Sequence, residues 1–202
     1  MPNDDLRSIR TGLYLEYTTL AWNIVGTVVI VIAAIHTGSA AYAGFGLDSL
    51  IEIFASTIVV WQLKGVNAQR ESRALRLLSV AFGALSLYVF AQSIYVFTIG
   101  HRPGVSLVGA VWLVVTVIVM LLLAWGKSVT GKKLGNAVLM TEAHVTLVDA
   151  YLAAAVLAGA VLDAWLGWWW ADPLAGLVIV YYGAKEAKAA WHHSTNIIST
   201  ID

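Results

Sequence analysis

Three long runs without an Asp, Glu, Lys or Arg restrict what this chain can fold into. Between Arg76 and Arg102 there are 25 such residues, between Arg102 and Lys127 another 24, and between Glu16 and Asp48 a further 31, broken by His36, Gly38 and Ser39. Roughly 20 apolar residues in a helix cross the hydrocarbon core of a bilayer. In water the same runs would expose far more apolar surface than a soluble domain tolerates. Composition agrees: 59% of the 202 residues are hydrophobic and 12% charged, against about 25% charged in soluble domains. Disorder needs low hydrophobicity, and a secreted disulfide scaffold needs cysteine, of which there is none. Twelve basic and twelve acidic residues balance, so no electrostatic case for nucleic acid exists. The class that remains is an all-α integral membrane protein.

Six spans are expected: Thr11 to Ile35, Ala41 to Leu63, Leu75 to Ile99, Val105 to Trp125, Asn136 to Leu162 and Pro173 to Trp191. They divide the chain into an N-terminal tail (1–10), a transmembrane domain (11–191) and a C-terminal tail (192–202). Arg102-Pro103-Gly104 reads as a turn. Asp172-Pro173 reads as a helix start, with Asp capping free N–H groups and Pro at the first helical position. No removable signal peptide is recognisable in Met1 to Arg10.

Basic residues orient the spans. Arg7, Arg10, Lys64, Arg70, Arg73, Arg76, Lys127, Lys132, Lys133, Lys185 and Lys188 fall on one side of this topology, and Arg102 alone on the other. The positive-inside rule puts both termini in the cytoplasm, which an even number of spans requires. The expected location is therefore the plasma (inner) membrane, as a multi-pass protein. Trp165, Trp168, Trp169 and Trp170 cluster at the outer end, with Trp61, Trp125 and Trp191 near inner ends. Interfacial anchoring accounts for them.

Ionisable groups inside spans are costly and are functional candidates. Asp48 and Glu52 in span two are four residues apart, so they project from one helical face. Two like charges there must share a proton or a cation. No basic residue is expected inside any span except Lys185, near the end of span six. In span five, Glu142 and Asp149 lie close to two turns apart, with Val145 and Thr146 on the same face. Glu142 lies near the inner end and is expected within reach of water. His144 is about 140° from Asp149 on the helical wheel and points away from the acidic face. Glu16, Thr19, Asn23 and Thr27 form a polar stripe along span one, suited to a wet cavity or to a polar neighbour. Ser79, Ser86 and Ser93 in span three recur every seven residues, a small-residue stripe suited to helix packing. His192 and His193 follow the last span in what reads as a frayed tail. No nucleophile–base pair or Gly-rich phosphate loop stands out, so an enzyme is not expected. Carboxylates on two helices of a six-span bundle point to a cation pathway.

At these residues the chain resembles the cation diffusion facilitator superfamily of divalent-metal exporters. Gly44-Phe45-Gly46-Leu47-Asp48-Ser49-Leu50-Ile51-Glu52 resembles that family's span-two motif. Glu142 to Asp149 resembles its span-five motif, and Ala171 to Leu177 its start of span six. The run Gly167 to Pro173 is similar to a short bacterial branch that lacks the C-terminal cytoplasmic domain. The resemblance implies a six-helix bundle, a homodimer and proton-coupled efflux. It places metal ligands at Asp48, Glu52 and Asp149. The family's fourth ligand falls on Val145, which cannot bind a metal, leaving Glu142, Thr146 or water to complete the shell, with His144 a further candidate. Family precedent favours Zn²⁺, Co²⁺ or Cd²⁺, whereas carboxylates, a hydroxyl and water suit Mn²⁺ or Fe²⁺. Zinc is kept first as the transported substrate. The alternative is a membrane metal-binding or regulatory subunit that keeps the fold without transport.

Overall fold

The computed structural model describes residues 3–37, 40–65, 67–100, 107–168 and 170–201. Six helices follow in order: α1 (Asn3–Thr37), α2 (Ala40–Leu63), α3 (Ala68–Ile99), α4 (Leu107–Leu134), α5 (Ala137–Leu166) and α6 (Ala171–Ile201). The described residues contain no strand.

The helix ends have local causes. Asn67 is extended, and its side chain accepts a hydrogen bond from the Arg70 N–H at 2.8 Å, which satisfies one free donor of the first turn of α3. Asn136 does the same for α5, accepting from the Leu139 N–H at 2.9 Å. Gly100 and Gly135 follow α3 and α4 with φ of 62° and 58°, a left-handed conformation that costs glycine nothing. Lys132 and Lys133 lie in the last turn of α4, where positive charge complements the helix dipole.

The helices associate as α1 with α2, α4 with α5, and α3 with α6, and α2 also meets α5. The main apolar core runs between them and includes Ile30, Val59, Leu75, Leu78, Phe82, Leu113, Leu139 and Val145. Two serines of the α3 stripe, Ser79 and Ser86, pack on α6, as does Ser72 one repeat earlier. Ser79 donates to the Ala187 carbonyl at 2.7 Å, and Ser72 meets Ser194 at 3.0 Å. Gly183 comes close enough to Ser86 that a Cβ there would lie 2.5 Å from its hydroxyl.

The outward faces are apolar. Ile24, Val28, Ile35, Leu87, Val108, Leu122 and Trp125 are all more than half exposed, a surface that only lipid solvates well. Among the described residues four stretches are long and apolar enough to cross a bilayer: Leu6–Ala33, Ala68–Ile99, Leu107–Leu134 and Ala137–Gly159.

Several boundaries differ from the sequence-based expectation. Helix α4 continues past Trp125 to Leu134, and α3 starts at Ala68 rather than Leu75. Helix α6 continues past Trp191 to Ile201, and Ser194 is fully buried against Ser72 and Arg76. His192 and His193 therefore stand on a packed helix and not on a frayed tail. Polar residues past a hydrophobic segment continue a helix when the neighbouring helix offers hydrogen bonds, which a hydropathy pattern does not register. Helix α6 already includes Ala171, so Asp172 lies within its first turn and not at the cap. The Arg102-Pro103-Gly104 turn lies outside the described residues.

Candidate functional site

The expected acids meet along the contact of α2 with α5. The two helices run antiparallel there, and polar residues face each other rung by rung. At one end of the ladder the carboxyls of Asp48 and Asp149 are neighbours within electrostatic range of each other. Neither has a proton to donate when both are ionised, and Asp48 Oδ2 and both Asp149 oxygens have no hydrogen-bond partner among the described residues. One turn on, the Thr146 hydroxyl donates to Glu52 Oε1 at 2.6 Å. Next, the Ser56 hydroxyl donates to Glu142 Oε1 at 3.0 Å. The last rung joins Asn136 Nδ2 to Gln62 Oε1 at 3.1 Å. Helical periodicity makes the ladder: residues 48, 52 and 56 of α2 share a face, as do residues 142, 146 and 149 of α5.

A lysine stands in this ladder. Lys127 is fully buried. Its ammonium donates to Glu142 Oε1 at 2.5 Å and to Thr146 Oγ1 at 2.9 Å, and lies 3.2 Å from Glu16 Oε2. The contact with Glu16 is an ion pair without aligned hydrogen-bond geometry, since both Glu16 oxygens lack a hydrogen-bond partner among the described residues. Two expectations are thereby corrected. A basic residue does lie within the bundle, because α4 extends two turns beyond the apolar run that suggested its end. Glu142 does not reach water: it is fully buried because Lys127 and Ser56 solvate it internally.

The polar stripe of α1 faces inward, with Glu16 and Thr19 fully buried and Asn23 nearly so. Its polar neighbour at Glu16 is Lys127 of α4. Tyr88 of α3 stands in electrostatic range of Asp48, and its buried hydroxyl has no partner among the described residues. Val145 is packed in the apolar core. His144 points away from the acidic face, 45% exposed, and its Nδ1 lies 3.1 Å from Glu186 Oε2 of α6. The structure thus brings together Asp48, Glu52, Thr146, Asp149 and Glu142, and leaves His144 apart.

Among the described residues no three His, Asp or Glu side chains stand together closely enough to hold a metal ion as placed. Glu52 lies one turn from the Asp48–Asp149 pair, and Glu142 is engaged by Lys127. The sequence reading missed Lys127 and Tyr88. A surplus of buried acids without a counter-charge was the available sign of Lys127.

No protein-family model matches the chain. The chain is similar to a curated protein named Transmembrane protein 163 from Xenopus laevis, at 25% identity over 193 residues covering 91% of this chain and 69% of the relative. That name and the four apolar stretches agree: the chain is a helical membrane protein.

Proposed function

We propose that this protein moves a divalent cation across the membrane through the α2–α5 ladder. The observation that carries this reading is the Asp48–Asp149 pair, two neighbouring buried carboxyls in which Asp48 Oδ2 and both Asp149 oxygens have no hydrogen-bond donor among the described residues. Such a pair needs a cation or a proton. A cation held there meets oxygens of Asp48 and Asp149, and the unpartnered Oε2 of Glu52, one turn away, closes on it as the third ligand. Protons compete with the cation for the same oxygens, which makes exchange of one for the other the natural cycle. The likeness of the Asp48 and Asp149 segments to cation diffusion facilitators supports this reading. Zinc remains the first candidate substrate. The oxygen-only ligands also suit Mn²⁺ and Fe²⁺, and Co²⁺ and Cd²⁺ follow by family precedent.

In this proposal all six helices span the bilayer with both termini in the cytoplasm. Lys127 leaves the loop count, and ten of the eleven remaining basic residues still fall on one side. The direction is efflux, from the end of the ladder marked by Gln62 and Asn136 toward Asp48.

The test is flux in proteoliposomes. Zn²⁺ or Mn²⁺ added on one side should enter saturably and drive protons the other way. Binding of metal without flux would replace transport by the alternative of a non-transporting metal-binding subunit, an alternative favoured by Lys127, which engages two of the candidate ligands. Neither binding nor flux would end both readings.

A further inference from the structure

We propose that Lys127 is a tethered cation filling a second cation site, built from Glu16 and Glu142, on the path to Asp48 and Asp149. It rests on the proposed function only in treating the Asp48–Asp149 end as the place of a mobile cation.

The geometry is that of an ion in a cage of oxygens. The ammonium touches Glu142 Oε1, Thr146 Oγ1 and Glu16 Oε2 within 3.2 Å. Lysine and both glutamates are fully buried; the oxygens come from α1 and α5 and the ammonium from α4. An ammonium group carries three donors and no acceptor, and its flexible four-carbon stem makes it a movable point charge.

The hydrogen bonds have a direction. Thr146 Oγ1 accepts from Lys127 and has one proton left. Glu52 Oε1 lies at 2.6 Å and Glu142 Oε1 at 3.2 Å. Glu142 Oε1 already accepts from Lys127 and Ser56, so the Thr146 proton goes to Glu52. Lys127 therefore acts on Glu52 through Thr146 as a positioning residue, fixing one Glu52 oxygen and leaving the other unpartnered. It also balances the charge of Glu16 and Glu142, through Glu16 Oε2 and Glu142 Oε1, so that a mobile cation gains less from them. A mobile cation approaching from the Gln62–Asn136 rung meets the lysine-filled site before it meets Asp48.

If the ammonium fills a cation site, an added cation should replace it. The full-length protein in detergent is titrated with Mn²⁺ alone and with Zn²⁺ alone, following bound-ion stoichiometry and thermal unfolding. Lys127→Met should unfold at lower temperature without metal, regain its midpoint in metal, as ligand linkage requires, and bind one more ion than the unmodified protein. Adding Glu16→Gln and Glu142→Gln to Lys127→Met should abolish that gain. A lysine that only packs would give Lys127→Met the same metal response as the parent, which overturns the proposal. Should Lys127→Met not fold in any metal, Lys127→Gln decides, because its amide keeps a donor to Glu142 and Thr146 without the charge. One more Mn²⁺ bound than in the unmodified protein supports the proposal, and no added ion overturns it. The two readings fail separately. Metal gained by Lys127→Met but not bound by the parent sinks the transport site alone. Metal bound by the parent with no gain in Lys127→Met sinks the tethered-cation site alone.

Discussion

Asp48, Glu52 and Asp149 differ from the other buried acids in what solvates them. Glu142 has an ammonium and a hydroxyl, Glu52 a single hydroxyl on one oxygen, and Asp48 Oδ2 and both Asp149 oxygens no donor among the described residues. Removing a charge from this last pair relieves a repulsion, so Asp48→Asn and Asp149→Asn should fold as well as the parent while cation flux falls by at least tenfold. Glu52→Gln should do the same. Flux assays beside thermal unfolding would separate the two effects, and parental flux in any two of these variants would displace the site. Lys127 has the opposite balance. Truncating one partner of a buried ion pair leaves an uncompensated charge and costs about 3–5 kcal/mol. Lys127→Met should therefore be the most destabilised single substitution at the site when measured without metal. A stability within about 1 kcal/mol of the parent would mean that Glu16 and Glu142 find other partners.

Among the helices, the α3–α6 contact leaves no room for an added methyl at Gly183 while Ser86 keeps its place. Ser86 Oγ is buried with no hydrogen-bond partner among the described residues, and it faces Gly183. Gly183→Ala should destabilise by about 1–3 kcal/mol through overpacking. Ser86→Ala removes an unsatisfied hydroxyl and should be close to neutral. Because the added methyl occupies the space the hydroxyl leaves, the double variant should recover at least about 0.5 kcal/mol of the Gly183→Ala cost. Additive effects in this double-mutant cycle would show that the two helices do not meet there. The i, i+7 serine spacing pointed to helix packing, and the contacts of Ser79 with Ala187 and of Ser86 with Gly183 show which helix these two serve. No local signal names a partner so distant in the chain.

Across the whole molecule, the buried formal charges among the described residues are five carboxyls and one ammonium. That excess of acid favours cations inside the bundle, while the lipid-facing surface carries apolar side chains. The proposed topology gives a direct check. The chain has no cysteine, so single cysteines report position without background. Cysteines replacing His36 and Trp168, both exposed, should react with an impermeant reagent from outside the cell, and one replacing Gln69, also exposed, should not. Gly167 is a poorer choice beside Trp168, because its φ of 69° disfavours any side chain. Outside labelling at Gln69 would overturn the six-span arrangement and the direction assigned to the ladder.

Hydrophobic runs and helical spacing were enough to read an all-α membrane protein with six helices and to place Asp48 with Glu52 and Glu142 with Asp149 on shared faces. Those properties are local: a run of apolar residues has few other ways to satisfy its backbone in lipid, and residues four or seven apart fall on one side of any helix. Which face meets which neighbour is not local. Lys127 follows an apolar run, and in sequence it looks like the first basic residue of a cytoplasmic loop. Only the packing of α1, α4 and α5 supplies the two glutamates that let a charged amine stay inside the bundle. The same holds for the antiparallel register of α2 and α5, which sets Asp48 against Asp149 and Ser56 against Glu142. Pairing charges across about 100 residues of chain is worth little until the helices are in place, because the desolvation each charge suffers is offset only by a partner held at contact distance.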